Sequence, residues 1–146
     1  MKITMQKKVL RENIRLLVRK LEILNKSEAS CCGITLSQCH TLVEVGRAQR
    51  LSLNELSEVL GLDKSTMSRT IENMVSSGLV ERETDTKDRR YVQIKLTDKG
   101  VLAYEEMENN MESFFENVIE SIPEEKRDQV VESMQYLLKA IPEKCC

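Results

Sequence analysis

The chain has 146 residues, about one domain's worth, since single domains cluster near ~100–150 residues, and at 40% hydrophobic it can bury a core. Its 22 Lys and Arg against 24 Asp and Glu give a formal charge of −2, so net charge by itself points to no nucleic-acid partner. Aromatics at 3%, with five Gly and two Pro, leave few turns and argue against a mostly β fold.

No apolar run approaches the ~20 residues that span a bilayer. The first thirty residues carry charges throughout, with no apolar secretion core, so a cytoplasmic location without a membrane partner is expected. The five cysteines (Cys31, Cys32, Cys39, Cys145 and Cys146) form two adjacent pairs plus one. That is a poor disulfide framework, and reduced thiols are the expectation.

From Ile3 to about Asn25, apolar residues at Ile3, Leu10, Ile14, Leu17, Leu21 and Leu24 mark one helix face. A second stripe, Val9, Leu16 and Ile23, runs beside it. A helix apolar on two sides must be covered from two sides, which hints at a dimer. Asn25 to Gly33 is polar and small and reads as a loop. Thr35 with Gln38 is a capping-box signature for a helix to about Arg47, and Ser52 with Glu55 repeats it for a short helix ending at Gly61. Asp63 can cap a third helix through Met67, Ile71 and Met74, stopped by Gly78.

After Gly78 the period changes to two. Val80, Arg82 and Thr84 alternate with Glu81 and Glu83, and Tyr91, Gln93 and Lys95 alternate with Val92, Ile94 and Leu96, around a charged turn from Asp85 to Arg90. This predicts a β-hairpin. Thr97 is placed to cap a long helix carrying Tyr104, Met107, Met111, Phe114, Val118 and Ile122, interrupted at Pro123. A last helix with Val130, Met134, Leu137, Leu138 and Ile141 ends near Pro142. The terminal helices have no sheet to pack on, so packing on each other within and between chains is the economical solution. By region, residues 1–60, 61–100 and 101–146 carry net charges of +4, +1 and −7, so the acidity belongs to the C-terminal helices.

Two short helices joined at Gly61 form a helix-turn-helix, whose second helix is the one that enters a DNA major groove. With Met67, Ile71, Met74 and Val75 facing a core, Ser65, Thr66, Arg69, Asn73 and Ser76 point away at ~100° per residue. Arg69 can donate two hydrogen bonds to guanine, Asn73 suits adenine or a phosphate, and the Ser65, Thr66 and Ser68 hydroxyls can reach bases or backbone. Lys64 and free amides at the helix start suit a phosphate. Any exposed helix shows such a face, but here Lys87, Arg89 and Arg90 follow at the hairpin turn, with Asp85 and Asp88 their only acidic neighbours. Arginine at a protruding tip suits the negative potential of a narrow minor groove.

The run from Leu51 to Val80, LSLNELSEVLGLDKSTMSRTIENMVSSGLV, then Asp88-Arg89-Arg90 and Leu96-Thr97-Asp98-Lys99-Gly100, resembles the winged-helix core of the MarR (multiple antibiotic resistance regulator) family. The motifs cover roughly fifty residues, and the flanking helices fit the layout over nearly the whole chain. The resemblance implies a mainly α fold with a small β-wing. It implies a single domain over 1–146, with a winged helix-turn-helix lobe over 36–96 and dimerisation helices over 1–25 and 98–142. It further implies a homodimer on near-palindromic double-stranded DNA, Asp88 bracing Arg90 while Arg90 enters the minor groove, and repression relieved by a ligand or thiol modification. The turn from Asp85 to Arg90 departs from the pattern in having no glycine.

The family's effector pocket borders the region of Cys31, Cys32, Cys39 and His40. Thiolates gathered from these, with Cys145 and Cys146 if the C-terminus folds back, suit a soft metal or metalloid, although Cys-x-x-Cys spacings are absent and no cofactor is required. The alternative is structural: Cys39 lies on the face of Leu42, Val43 and Gly46 as a small buried residue, His40 is a polar helix residue, and the terminal pair is incidental. Catalysis has little support, with one His and no glycine-rich loop. A protein-binding winged helix and, less well supported, a thiol–disulfide exchange protein are the competing classes.

Overall fold

The structure, a computed structural model, describes residues 1–143, the side chains of 24–32 excepted. In chain order it contains α1 (Lys2–Cys32), α2 (Leu36–Ala48), β1 (Leu51–Ser52), α3 (Leu53–Leu60), α4 (Lys64–Ser76), β2 (Val80–Thr84), β3 (Val92–Leu96), α5 (Asp98–Glu120) and α6 (Glu124–Ala140). The fold is mainly helical with one small antiparallel sheet, as the periodicities predict. Two compact units are present, Met1–Met107 and Glu108–Cys146, divided within α5. No described helix is long and apolar enough to cross a membrane.

The predicted loop from Asn25 to Gly33 is a correction: α1 continues through Cys32 and stops at Gly33, whose φ is +67°. Polar residues of this stretch lose only tenths of a kcal/mol in a helix, and no Gly or Pro precedes Gly33 to break it. Cys31 and Cys32 therefore close α1 instead of lying in a loop.

The helix starts in the first unit follow the predicted caps. Thr35 and Gln38 form a complete capping box, the Gln38 amide donating to Thr35 Oγ1 at 3.3 Å and the Thr35 amide to Gln38 Oε1 at 3.1 Å. Ser52 Oγ accepts from the Glu55 amide at 3.1 Å, and Asp63 Oδ1 from the Thr66 amide at 2.6 Å. Gly61 ends α3 in the left-handed region, φ +63°, with the Leu62 amide reaching back to the Ser57 carbonyl at 3.1 Å. This left-handed residue turns the chain sharply from α3 into α4.

The sheet order is β1-β3-β2. Register pairs Val80 with Leu96, Arg82 with Ile94 and Thr84 with Val92, and β1 adds Leu51 opposite Ile94 and Ser52 opposite Gln93. The sequence reading contains no β1, because two residues are too short to show a period of two. The core of the first unit gathers Leu42 and Val45 of α2, Leu56 of α3, Met67, Ile71 and Met74 of α4, Val80 and Ile94 of the sheet and Met107 of α5. Cys39 belongs to this cluster at 7% exposure.

Two glycines permit close approaches. A Cβ on Gly46 would meet the Tyr104 ring at 2.6 Å, so a side chain there would displace the ring that packs on α2. At Gly100 a Cβ would lie 2.0 Å from the Leu79 carbonyl oxygen. Gly100 is the centre of a joint: the Thr97 amide donates to Leu79 O at 3.1 Å, Thr97 Oγ1 donates to the Gly78 carbonyl, and Lys99 Nζ donates to Ser77 O at 2.8 Å. Thr97 Oγ1 also accepts from the Gly100 amide at 3.1 Å, the predicted cap of α5. The carbonyls of residues 77–79, in the turn that follows α4, are thus satisfied by the start of α5.

In the second unit, α6 buries none of its residues. Arg127 caps the end of α5, its Nε donating to Ile122 O at 3.1 Å and Nη2 to Glu120 O at 3.4 Å. Phe114 and Phe115 meet edge to face at 5.2 Å, both exposed.

Candidate nucleic-acid interface

The outer face of α4 is set by its buried one. Met67, Thr70, Ile71 and Met74 point into the core, which leaves Lys64, Ser65, Ser68, Arg69, Asn73 and Ser76 exposed and Thr66 half-buried. The predicted base-reading residues therefore share one side of the helix. Two features modify the expectation. Asp63 holds the N-terminus: besides the Thr66 amide it accepts from Ser65 Oγ at 2.8 Å, and these bonds, the Thr66 amide first, hold its carboxyl below the ordinary aspartate value. The helix start is thus not the set of free amides expected for a phosphate, since a carboxylate already takes one of them. Glu72, absent from the predicted residues, stands exposed on the same face, and its carboxylate suits a cytosine amino group.

The wing follows at once, β2 beginning four residues after α4 ends. Its tip closes without glycine by using aspartates as turn formers. Asp85 Oδ1 accepts from the Lys87 amide at 2.8 Å, Asp88 Oδ1 from the Arg90 amide at 3.0 Å, and the Tyr91 amide donates to Asp88 O at 3.1 Å. No residue of the tip has a positive φ, so the missing glycine leaves no strain behind.

Asp88 also grips the Arg90 side chain. Nη2 donates to Oδ2 at 2.8 Å, and Nε lies 3.1 Å from Oδ1 and 3.2 Å from Oδ2. The Arg90 guanidinium lowers the carboxyl of Asp88, and the carboxylate raises Arg90 in return. Arg90 is 86% exposed while Asp88 is 31% exposed. A cation is therefore aimed outward from a fixed base, with Lys87 and Arg89 exposed beside it. This is the brace that the family resemblance implies.

Of the predicted cysteine set, the described side chains are those of Cys39 and His40. Cys39 is buried and His40 exposed, so the first is turned into the core of the unit and the second toward solvent. The side chains of Cys31 and Cys32, together with Cys145 and Cys146, lie outside the described residues. Among the described residues no group of three or more His, Cys, Asp or Glu could hold a metal ion.

A helix-turn-helix with a three-stranded wing, a polar outer helix face and a braced tip arginine defines a winged helix-turn-helix protein. The family model described as MarR family matches residues 33–90, from just before α2 to Arg90 at the wing tip. The HTH-type transcriptional regulator BilQ of Clostridium symbiosum is 28% identical over 114 residues, 78% of this chain and 79% of that protein. The crystal structure of a MarR transcriptional regulator from Methanosarcina mazei covers 90% of this chain and 95% of its own, at 26% identity and a TM-score of 0.75. Streptococcus pneumoniae FabT in complex with DNA shares the fold at a TM-score of 0.78 and 24% identity, over 88% of this chain and 94% of that one. Over its winged helix-turn-helix the chain is thus similar to the MarR family of transcriptional regulators.

Proposed function

We propose that this regulator binds a near-palindromic DNA operator as a homodimer, represses from it, and leaves it when a signal molecule changes the spacing of its two lobes. The observation that carries the DNA reading is the pairing of α4's exposed Arg69–Asn73 face with an outward Arg90 fixed by Asp88. Each protomer lays α4 in a major groove and its wing tip over the adjacent minor groove. Lys64, Ser65, Thr66 and Ser68 contact the backbone and base edges at the start of the helix, and Lys87 and Arg89 neutralise phosphates beside Arg90.

The homodimer is supported by apolar side chains that nothing in the described chain covers. Val9, Leu16 and Ile23 on α1 are exposed, as are Val131, Tyr136 and Leu138 on α6. Helices carrying this much exposed apolar surface are interaction faces. A dimer lying across two half-sites ~10 bp apart, or a multiple of that, excludes polymerase from a promoter it overlaps, which favours repression. The signal is a small ligand, a soft metal or metalloid, or oxidation at Cys31 and Cys32, with Cys39 excluded by its burial.

The test is selection of duplexes from a randomised pool, followed by sedimentation of the free protein. An enriched two-fold symmetric sequence and a species of twice the chain's mass are expected. No enrichment of any sequence would sink the DNA reading, and a monomer at micromolar concentration the homodimer. A C31S/C32S variant that still leaves the operator on exposure to arsenite or an oxidant removes those thiols from sensing.

A further inference from the structure

The face of the sheet opposite the core carries a charge network used by neither α4 nor the wing tip. Lys95 of β3 reaches Glu81 Oε1 at 3.2 Å and Glu83 Oε2 at 3.6 Å, both on β2. Arg50, the residue before β1, reaches the same Glu83 oxygen at 3.4 Å. That oxygen is buried and accepts no hydrogen bond. A carboxylate oxygen withdrawn from water is unfavourable unless opposite charge compensates it, so Glu83 draws a cation from each side and ties β2 to β3 and to the approach to β1. The glutamates raise Lys95 above its ordinary value, Glu81 most strongly. The approach to β1 is itself fixed in an unusual conformation, for Gln49 has φ +70°.

The wing tip starts two residues after Glu83. Between them lies a cavity of about 280 Å³ bounded by Arg50, Glu83, Thr84, Asp85, Thr86 and Gln93. The root of the wing is therefore not filled by apolar packing. Its orientation rests on strand pairing and on the charges that meet at Glu83.

We propose that Glu83 is a positioning residue for the wing: by holding Arg50 and Lys95 across the three strands, it sets the direction in which the Asp88–Arg90 tip meets DNA. Glu83 touches no DNA in this scheme, and the inference rests on the reading that the wing does. The sign of its effect separates it from simple electrostatics. Removing a negative charge near phosphates strengthens binding, whereas releasing the wing weakens it.

The experiment has two arms. Fluorescence anisotropy on the selected duplex compares the full-length protein with E83Q, E81Q, R90A and E83Q/R90A. We expect E83Q to weaken binding about two- to five-fold, the scale of a partly exposed ion pair, while E81Q leaves it equal or tighter. R90A should then do less harm in the E83Q background than alone, because residues that act as one unit are not additive. Equal or tighter binding by E83Q overturns the proposal, as does weakening that simply adds to R90A. The second arm needs no DNA: amide exchange at Asp85 and Tyr91, which close the tip, is expected to speed up in E83Q and not in E81Q. Unchanged exchange overturns the positioning role whatever the wild type binds, while failure of the wild type to bind any duplex counts against the DNA reading alone.

Discussion

Gly100→Ala is the substitution for which helix propensity and tertiary packing give opposite signs. Gly100 stands in the first turn of α5, where alanine is the better helix former by about 1 kcal/mol. The added methyl, however, would lie 2.0 Å from the Leu79 carbonyl oxygen and 3.3 Å from Leu96 Cβ. The first neighbour is backbone and cannot rotate away. To relieve the overlap, α5 must move from the end of α4, and the bonds from the Thr97 amide, Thr97 Oγ1 and Lys99 Nζ to the carbonyls of residues 77–79 lengthen together. Overpacking of about 1–3 kcal/mol and two or more weakened hydrogen bonds at about 0.5–1.5 kcal/mol each outweigh the propensity gain. The net expectation is a loss of about 1–5 kcal/mol. Urea unfolding followed by circular dichroism at fixed protein concentration measures it. Stability equal to or above wild type would refute the joint as described, since propensity would then have decided the outcome.

Other substitutions separate the parts of the interface. Arg69→Ala should weaken operator binding by about 1–3 kcal/mol and relax sequence preference, whereas Arg90→Ala should weaken all sequences alike and reduce the salt slope by about 1; competition assays with shuffled duplexes at several salt concentrations tell them apart. Because the Arg90 guanidinium lowers the Asp88 carboxyl, the pair is complete above the ordinary aspartate value and is lost only as pH falls through the lowered one. An NMR titration should therefore find the Asp88 midpoint below that of aspartate in a short peptide, with the brace intact from pH 8 to 5; a midpoint at or above the peptide value contradicts the geometry. Cys39, at 7% exposure, should react with a thiol reagent only as fast as the protein unfolds, and rapid labelling in the native state would show the burial to be wrong. Thr35→Ala removes one half of the capping box on α2 and should cost about 1 kcal/mol, measured by thermal melts, with Thr35→Asp close to neutral.

Local chemistry made the helix-turn-helix and the wing legible. Asp63 and Gly61 announce the two ends of the turn between α3 and α4, and the spacing of Met67, Ile71 and Met74 fixes which side of α4 stays outside. The Asp85–Arg90 tip could be placed but not shaped, because aspartates do there what glycine does in other turns. The segment from Asn25 to Cys32 misled because polar composition resembles a loop, although nothing in it breaks a helix before Gly33.

The sequence alone determined the order of helices, the hairpin, the caps and the polar face of α4, since each depends on neighbours within one or two turns of chain. Long-range partners lay beyond it. That Gly100 must be glycine because Leu79 lies against it, and that Arg50 and Lys95 meet at Glu83 across three strands, depend on residues up to 45 positions apart. The −2 of the whole chain likewise says nothing about the wing. What matters there is one arginine held outward by one aspartate, and the folded hairpin makes that pairing.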